Sequence, residues 1–290
     1  DETALKKHVG YYLFGDGYKG FRKTLGYKMP FRERVQNLME RSPGYYAGAI
    51  AASTLLLLAV LWVLAGFKNY PVWLTVVGFA VAFFPAMELS VSLINRFFAF
   101  YFSPRILPKM NFDDGIPSNC RTLVVVPTII SSKEDVNEQI EQLEIRSLAN
   151  SDPAIQFGLL TDFGDSDHQV NEDEKNILEE AERVIKELNQ IHPSRFGDKF
   201  FLMHRERKWN EKEDVWMGWE RKRGKLEEFN TLLCDTSSKT SYTQILGNIL
   251  PSVKSTPVQF VITLDADTSL PPNSPNQLIR TAAHPLNRAW

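Results

Sequence analysis

The sequence is poor in the residues that mark several common protein classes. Among its 290 residues there are two cysteines, Cys120 and Cys234, and neither has another cysteine or a histidine at metal-ligand spacing. This argues against a disulfide scaffold and a structural zinc site. Basic charge is not in excess either, because 33 Lys and Arg stand against 35 Asp and Glu. We therefore expect no nucleic-acid partner, since such proteins carry a basic surface that neutralises phosphates.

The chain begins at Asp1 and not at a methionine, and it also lacks the charged and apolar segments of a signal peptide. Internal repeats and low-complexity tracts are absent as well. With 43% hydrophobic and 23% charged residues, the composition is that of a globular protein. We interpret the sequence as a piece of a longer polypeptide with further domains.

Apolar residues are concentrated in two long runs near the N-terminus. The run from Tyr45 to Gly66 contains no charged residue, and the run from Pro71 to Ile94 contains one charged residue, Glu88. About 20 apolar residues in a helix are enough to cross the hydrocarbon core of a bilayer. The runs therefore predict a two-helix transmembrane hairpin over residues 45–95. The alternative is a pair of helices buried in a large soluble core.

Basic residues beside the hairpin predict its orientation. Lys68 is the one Lys or Arg in the short connection, whereas the outer flanks carry many: Lys19, Arg22, Lys23, Lys28, Arg32, Arg34, Arg41, Arg96, Arg105 and Lys109. Because positive residues stay on the cytoplasmic side, we expect the N-terminal segment (1–44) and all that follows the hairpin to be cytoplasmic. The aromatic and basic segment 96–110 is either a helix at the level of the lipid headgroups or a plain linker.

Strand-like and helix-like patterns alternate from about residue 111 onward. Apolar runs predict strands over residues 123–126, 155–161, 199–204 and 258–264, and helical spacing predicts helices over 134–150, 171–191 and about 223–234. Pro127 is expected to stop the first strand. The order predicts an α/β fold, in which a mostly parallel sheet is covered by helices on both faces.

Acidic residues follow two of the predicted strands. Asp162 and Asp165 come after the second strand, and Asp265 and Asp267 after the last. Ligands of open α/β sheets bind beyond the carboxyl ends of the strands. Carboxylates at i and i+2 can bring their oxygens to one hard cation that keeps positions free for phosphates. A solvated turn is the alternative for an isolated pair of this kind.

A second group of candidate residues opens the helix predicted near residue 223. Lys222, Arg223 and Lys225 surround Gly224, and cationic side chains at the start of a helix can hold a diphosphate. A solvated basic turn is the alternative. The preceding Trp216 and Trp219 indicate either a platform for a sugar or base, or a local packing cluster.

Together these motifs carry a family resemblance. The sequences VVVPT, TDFGDSD, a Lys-x-Gly turn before an Asn-bearing helix, and a strand ending in DAD resemble the nucleotide-sugar half of processive GT-A glycosyltransferases. More narrowly, LEIRSLAN, FLMHRERKWN, WMGWERKRGKLEEFN, VITLDADTSLPPNS and AAHPLNR look like the glucosyltransferase region of cyclic β-1,2-glucan synthases. The resemblance covers residues 111–290. It implies a GT-A-like, Rossmann-type domain that is incomplete in this chain.

The resemblance also implies roles for individual residues. Asp162 and Asp165 would contact the uracil and ribose of UDP-glucose, and Lys222 with Gly224 would lie near the nucleotide or its phosphates. Asp265 and Asp267 would be the DxD pair, with Asp267 as the more direct ligand of Mg²⁺ or Mn²⁺. The implied protein is a multi-pass enzyme of the bacterial inner membrane that extends a β-1,2-glucan acceptor by an inverting reaction.

This interpretation leaves the acceptor base unassigned, because GT-A enzymes carry that acid downstream of DxD and here the chain ends at Trp290. The fragment alone is expected to be inactive. Two alternatives remain at this point. One is a phosphohydrolase of the haloacid-dehalogenase type, whose nucleophilic Asp also ends an apolar strand. The other is a non-catalytic, membrane-anchored interaction domain.

Overall fold

The computed structural model describes residues 6–13, 15–41, 43–66, 70–102, 106–194, 196–249 and 257–287. Lys68, Arg105 and Trp290, on which some expectations above depend, lie outside these ranges. The chain divides into two compact units, Asp1–Leu107 and Pro108–Trp290.

The first unit is helical. Its described helices are α1 (Val9–Leu13), α2 (Tyr18–Thr24), α3 (Phe31–Arg41), α4 (Pro43–Leu64) and α5 (Val72–Tyr101). The helices α4 and α5 are long and apolar enough to cross a membrane, and in each only 6% of the most apolar window is buried. They run antiparallel, since Tyr46 Oη near the start of α4 donates to Asn95 Oδ1 in α5 at 2.6 Å. Exposed apolar surface of this kind is not that of helices in a soluble core.

The helix α5 extends further than the sequence pattern indicates. It continues beyond residue 95 to Tyr101, through the first part of the segment 96–110, for which a headgroup-level helix and a plain linker are the alternatives from the sequence. Phe97 and Tyr101 lie one turn apart in this extension, with ring centroids 4.6 Å apart. The aromatic residues at 97–101 therefore belong to the same helix as the apolar run.

The second unit is an α/β sandwich. Its strands are β1 (Thr122–Ile130), β2 (Ile155–Phe163), β3 (Phe200–Arg205), β4 (Lys208–Asn210), β5 (Val215–Met217), β6 (Tyr242–Leu246) and β7 (Phe260–Thr263). Its helices are α6 (Lys133–Leu148), α7 (Glu174–Ile191), α8 (Arg221–Cys234) and α9 (Ser274–Ala282). The main sheet has the order β6-β3-β2-β1-β7, with only β6 antiparallel. The predicted α/β fold with a mostly parallel sheet is confirmed.

Alternate residues of the central strands supply two cores, one on each face of the sheet. Val124, Val126 and Leu159 point into a core that includes residues of α6, α7 and α9. Leu123 and Val125 point to the opposite face, where Phe229 of α8 completes a second core. Because both faces are buried, the strands are almost continuously apolar, which is the pattern that the sequence shows.

Pro127 does not stop the first strand, and that prediction is wrong. Strand β1 continues to Ile130 and pairs with β2 throughout, with Pro127 opposite Leu160. Pro127 shares the edge of β1 used by Arg121 and Val125, whose carbonyls accept from Gln259 and Leu264 beside β7. On this side of β1, the pairing with β7 ends at Thr263, which lies opposite Val125. The β7 pairing therefore does not reach Pro127, and the N–H that proline lacks is not needed there.

Strands β4, β5 and β6 were not predicted. β4 and β5 form a separate two-stranded ribbon between β3 and α8, and β6 pairs with β3 at the edge of the main sheet. Each is short, with three to five residues. Runs of this length carry too little periodicity to be separated from loops.

Candidate functional site

The strand order places a topological switch point between β1 and β7. From β1 the chain proceeds outward to β2 and β3, and later returns to place β7 on the other side of β1. A reversal of this kind separates the connections that leave neighbouring strands, and ligands of α/β sheets bind in the resulting gap. The helix α8 reaches the carboxyl edge of the sheet, since Lys225 Nζ donates to the Thr128 carbonyl at 2.5 Å.

The acidic turn after β7 is held from within the protein. The Asp265 carbonyl accepts from the Thr268 amide at 3.0 Å, which closes the turn. Arg146 of α6, only 7% exposed, donates through Nη2 to the carbonyls of Ala266 (2.7 Å) and Thr268 (3.2 Å). These bonds engage only main-chain carbonyls of the turn. The side chains of Asp265 and Asp267 are exposed.

Lys222 meets the first of these carboxylates. Its Nζ contacts Asp265 Oδ1, and both side chains are more than half exposed, at 53% and 58%. We call Lys222 and Asp265 the exposed pair. Because an ion pair in contact with water contributes little stability, either partner is available to a charged ligand at small cost. The structure thus brings together the first lysine of the basic turn and the first aspartate of DAD.

The donor set of this turn fits a hard divalent cation. Asp265 and Asp267 offer carboxylate oxygens alone, which Mg²⁺ and Mn²⁺ prefer over nitrogen or sulfur. Two carboxylates leave most positions of an octahedral ion to water and phosphate. Within the part of the chain that the structure describes, no three His, Cys, Asp or Glu side chains are grouped as a metal site.

Asp162 occupies a different environment from Asp265. It is buried in β2, and Arg205 of β3 binds both of its oxygens at 2.8 Å. Lys225 Nζ lies 3.1 Å from Asp162 Oδ2, and Glu228 lies 3.7 Å from Arg205. We call Asp162, Arg205, Lys225 and Glu228 the buried cluster. Its formal charges cancel, and both oxygens of Asp162 are already engaged.

Burial shifts the protonation of neighbouring groups. Burial lowers the pKa of Lys225, and the Asp162 carboxylate opposes this shift. Burial also lowers the pKa of His204 to about 4. The His204 ring is therefore neutral at pH 7, and its Nδ1 lies 2.9 Å from Thr161 Oγ1. A neutral imidazole here adds no further charge beside the buried cluster.

Asp165 lies outside the buried cluster. It is exposed, and Arg221 at the start of α8 donates to it at 2.9 Å and to Glu213 at 3.3 Å. Asp162 and Asp165, which were expected to act together, therefore have different cationic partners. Arg207 orders the loop that joins β2 to α7. It donates to the Gly164 carbonyl (2.6 Å) and to Glu174 (2.6 Å).

Two glycines allow the chain to pack closely at this edge. A Cβ on Gly224 would lie 2.2 Å from the Trp219 carbonyl oxygen, and one on Gly218 would lie 2.6 Å from Asp162 Oδ2. Neither position tolerates a larger residue without movement of its neighbours. The structure thus gives Gly224 of the Lys-x-Gly turn a steric reason that is independent of any ligand.

Sequence patterns did not single out Arg146 and Arg205, which organise this edge together with Lys225 of the basic turn. Arg146, Arg205 and Lys225 are all buried, and they tie α6, β3 and α8 to the strand ends. A detectable signal exists for Arg205, since HRER directly follows the apolar run FFLM, and His204 and Arg205 are the last residues of β3. Charges at that point need buried partners. Nothing in the spacing of Arg146 indicates its contacts with residues 120 positions away.

An alignment of 289 residues, 99% of this chain, is 35% identical to the cyclic β-(1,2)-glucan synthase NdvB of Rhizobium meliloti (strain 1021). The chain therefore aligns with one region of that cyclic glucan synthase. It spans about 10% of the length of that curated relative. No family model matches the chain. The predicted resemblance to cyclic β-1,2-glucan synthases is confirmed, and the alignment extends beyond residues 111–290 into the helical unit.

Proposed function

We propose that this chain is the donor-binding part of a membrane-bound glucosyltransferase that uses UDP-glucose to extend a β-1,2-glucan by an inverting reaction. The contact between Lys222 and Asp265 carries the proposal. It joins the start of α8 to the turn after β7, beyond the carboxyl edge of the sheet, where α/β sheets bind ligands. The similarity to NdvB supports the glucan as product.

In this proposal Lys222 binds the diphosphate of the donor, and Asp265 with Asp267 holds Mg²⁺ or Mn²⁺. The cation would neutralise negative charge on the UDP leaving group. Asp165 and Arg221 are exposed on the neighbouring loop and helix and are available to the nucleoside. Asp162 acts through Arg205 and Lys225, which fix the elements that carry these groups.

We also propose that α4 and α5 form a transmembrane hairpin in the bacterial inner membrane, with both flanks in the cytoplasm. Their length and their exposed apolar side chains support the span. The excess of basic residues on the outer flanks supports the orientation. Cysteine labelling with a membrane-impermeant reagent at residues 67–69 should report the extracytoplasmic side. Labelling only after the cells are opened would overturn the orientation.

Calorimetric titration of the chain with UDP tests the donor site. We expect UDP to bind more tightly with Mn²⁺ than without it, and Asp267→Ala to abolish that difference. Lys222→Ala should weaken UDP more than uridine, because only UDP has phosphates. The matched control is Asp113→Ala, which removes an exposed carboxylate 3.8 Å from Arg280. It should change neither the effect of Mn²⁺ nor the affinities for UDP and uridine.

Two results would contradict the donor site. An unchanged effect of Mn²⁺ in Asp267→Ala would remove the cation from these aspartates. Equal losses of UDP and uridine in Lys222→Ala would show that this lysine does not bind phosphate. A covalent aspartyl-phosphate at Asp265 would instead support the phosphohydrolase, and an absence of any UDP affinity would support the non-catalytic alternative.

A further inference from the structure

A cleft lined by two exposed tryptophans lies beside the candidate donor site. It is formed by the β4–β5 ribbon and the start of α8, and its volume is about 550 Å³. This volume lies within the range of small-molecule sites. Trp209 on β4 and Trp219 just before α8 line the cleft and are 45% and 40% exposed. Large aromatic surfaces left open to water in a polar setting mark ligand sites more often than random surface.

The indole of Trp209 and the main chain of Trp219 are held by contacts within the protein. Trp209 stands opposite Trp216 in the ribbon, and their ring centroids are 5.7 Å apart in an edge-on arrangement. The carbonyl of Trp219 accepts from Nη1 of the fully buried Arg205 at 3.1 Å. A binding surface that is already ordered loses less conformational entropy when it is occupied.

The backbone between Trp219 and Lys222 is strained. Glu220 and Arg221 are consecutive non-glycine residues with left-handed φ values of 51° and 48°. Arg205 stabilises this conformation by donating to the carbonyl of Arg221 as well as to that of Trp219. Strain of this kind persists only where surrounding contacts impose it, and it is concentrated at functional segments.

The charges that line the cleft indicate an uncharged ligand. Three basic and three acidic side chains surround it, so their formal charges cancel: Lys208, Lys212, Arg221, Glu211, Glu213 and Glu220. A nucleoside diphosphate would favour a basic surface. A neutral molecule with many hydroxyl groups can instead use both carboxylates as acceptors and ammonium or guanidinium groups as donors. Apolar sugar faces stack on indole rings, which completes the match to a carbohydrate.

The cleft adjoins the candidate donor site through Arg221. This residue lines the cleft, contacts Glu213 on its wall, binds Asp165 of the β2 loop and immediately precedes Lys222. We infer that Trp209 and Trp219 form a second site that holds a segment of a neutral β-glucan chain next to the donor. The identity of the sugar rests on the proposed function, whereas the indoles and the balanced charges stand independently of it.

Titration of the 290-residue chain in lipid nanodiscs with linear β-1,2-linked glucopentaose tests this site. Nanodiscs avoid detergents with sugar headgroups. We expect the oligosaccharide to bind, Trp209→Ala and Trp219→Ala each to weaken it about tenfold, and Trp209→Phe to keep it within about threefold. Trp73→Ala removes an indole that is 67% exposed on α5, and it should leave the affinity unchanged.

UDP titration of the same samples separates this inference from the donor site. A larger loss of oligosaccharide than of UDP in Trp209→Ala supports the second site. Binding of UDP without any binding of glucopentaose would overturn the second site and leave the donor site intact. A loss of UDP with unchanged glucopentaose would overturn it too, because the cleft would then hold the nucleotide. Equal losses in Trp209→Ala and Trp209→Phe would show that stacking is not involved.

Discussion

The buried cluster and the exposed pair lie at the same edge of the sheet and use the same kinds of residue. In the buried cluster, Asp162 is 7% exposed and meets two cations. In the exposed pair, Asp265 is 58% exposed and meets one. An unpaired charge is costly in the first environment and cheap in the second. Burial, rather than residue type, therefore separates the groups that hold the fold from those free to exchange partners with a ligand.

The largest expected effect comes from breaking the buried cluster. Arg205→Met leaves Asp162 with Lys225 alone and removes the bonds to Trp219 and Arg221. We expect the free energy of unfolding to fall by about 3–5 kcal/mol, as measured by urea denaturation. Lys222→Met is the matched control and should lower it by less than about 1 kcal/mol. Similar losses in both variants would contradict the comparison.

A pH titration sharpens the same contrast through His204. The pKa of this ring is lowered to about 4 in the folded protein, against an ordinary value of 6.5. Above pH 6.5 neither state binds the proton. Between pH 6.5 and 4 only the unfolded state does, so the stability that is present above pH 6.5 is lost as the pH falls.

At pH 5 the loss from this group should be about 2 kcal/mol relative to pH 7. Urea denaturation of the protein and of His204→Gln at the two pH values isolates the contribution, because carboxylates titrate in both. The variant should lose correspondingly less stability over this interval. Equal losses would show that His204 keeps its ordinary pKa in the folded state.

The smallest expected effect concerns the exposed pair. In a double-mutant cycle with Lys222→Met and Asp265→Asn, we expect a coupling energy below about 1 kcal/mol that decreases with added salt. Urea denaturation at low and high ionic strength measures it. A coupling of several kcal/mol would mean that this contact holds the fold, as Arg205 and Asp162 do, and is not free for a ligand.

The sequence predicted members of the candidate site only where a charged residue stands at the end of an apolar run or at the start of a helix. Asp265 stands at the end of the last strand and Lys222 at the start of a helix, and these positions were recognised without coordinates. Asp162 was recognised by the same rule, but the sequence did not indicate that this side chain is buried. Its partner Arg205 comes from a different strand, 43 residues away along the chain. Local patterns contain no information on such a pairing.

The ribbon of β4 and β5 shows the same limit. The tryptophans at 209, 216 and 219 were visible in the sequence, with a sugar or base platform and a packing cluster as equal alternatives for the last two. The structure divides the roles, since Trp216 packs edge-on against Trp209 while Trp209 and Trp219 line the cleft. Which indole is open to a ligand depends on the strand register, which three-residue strands do not reveal.

The amino-acid sequence by itself determined the two apolar helices, the alternation that produces a parallel sheet, and the acids at the strand ends, because each follows from hydrophobic periodicity along a continuous segment. Only the tertiary structure decided that β1 runs through Pro127, that Asp162 forms a buried ion pair with Arg205, and that Lys222 reaches Asp265. These features depend on which strands become neighbours and on which side of a strand lacks a partner. Such contacts join residues distant in the chain, and their energies exist only once the sheet has formed.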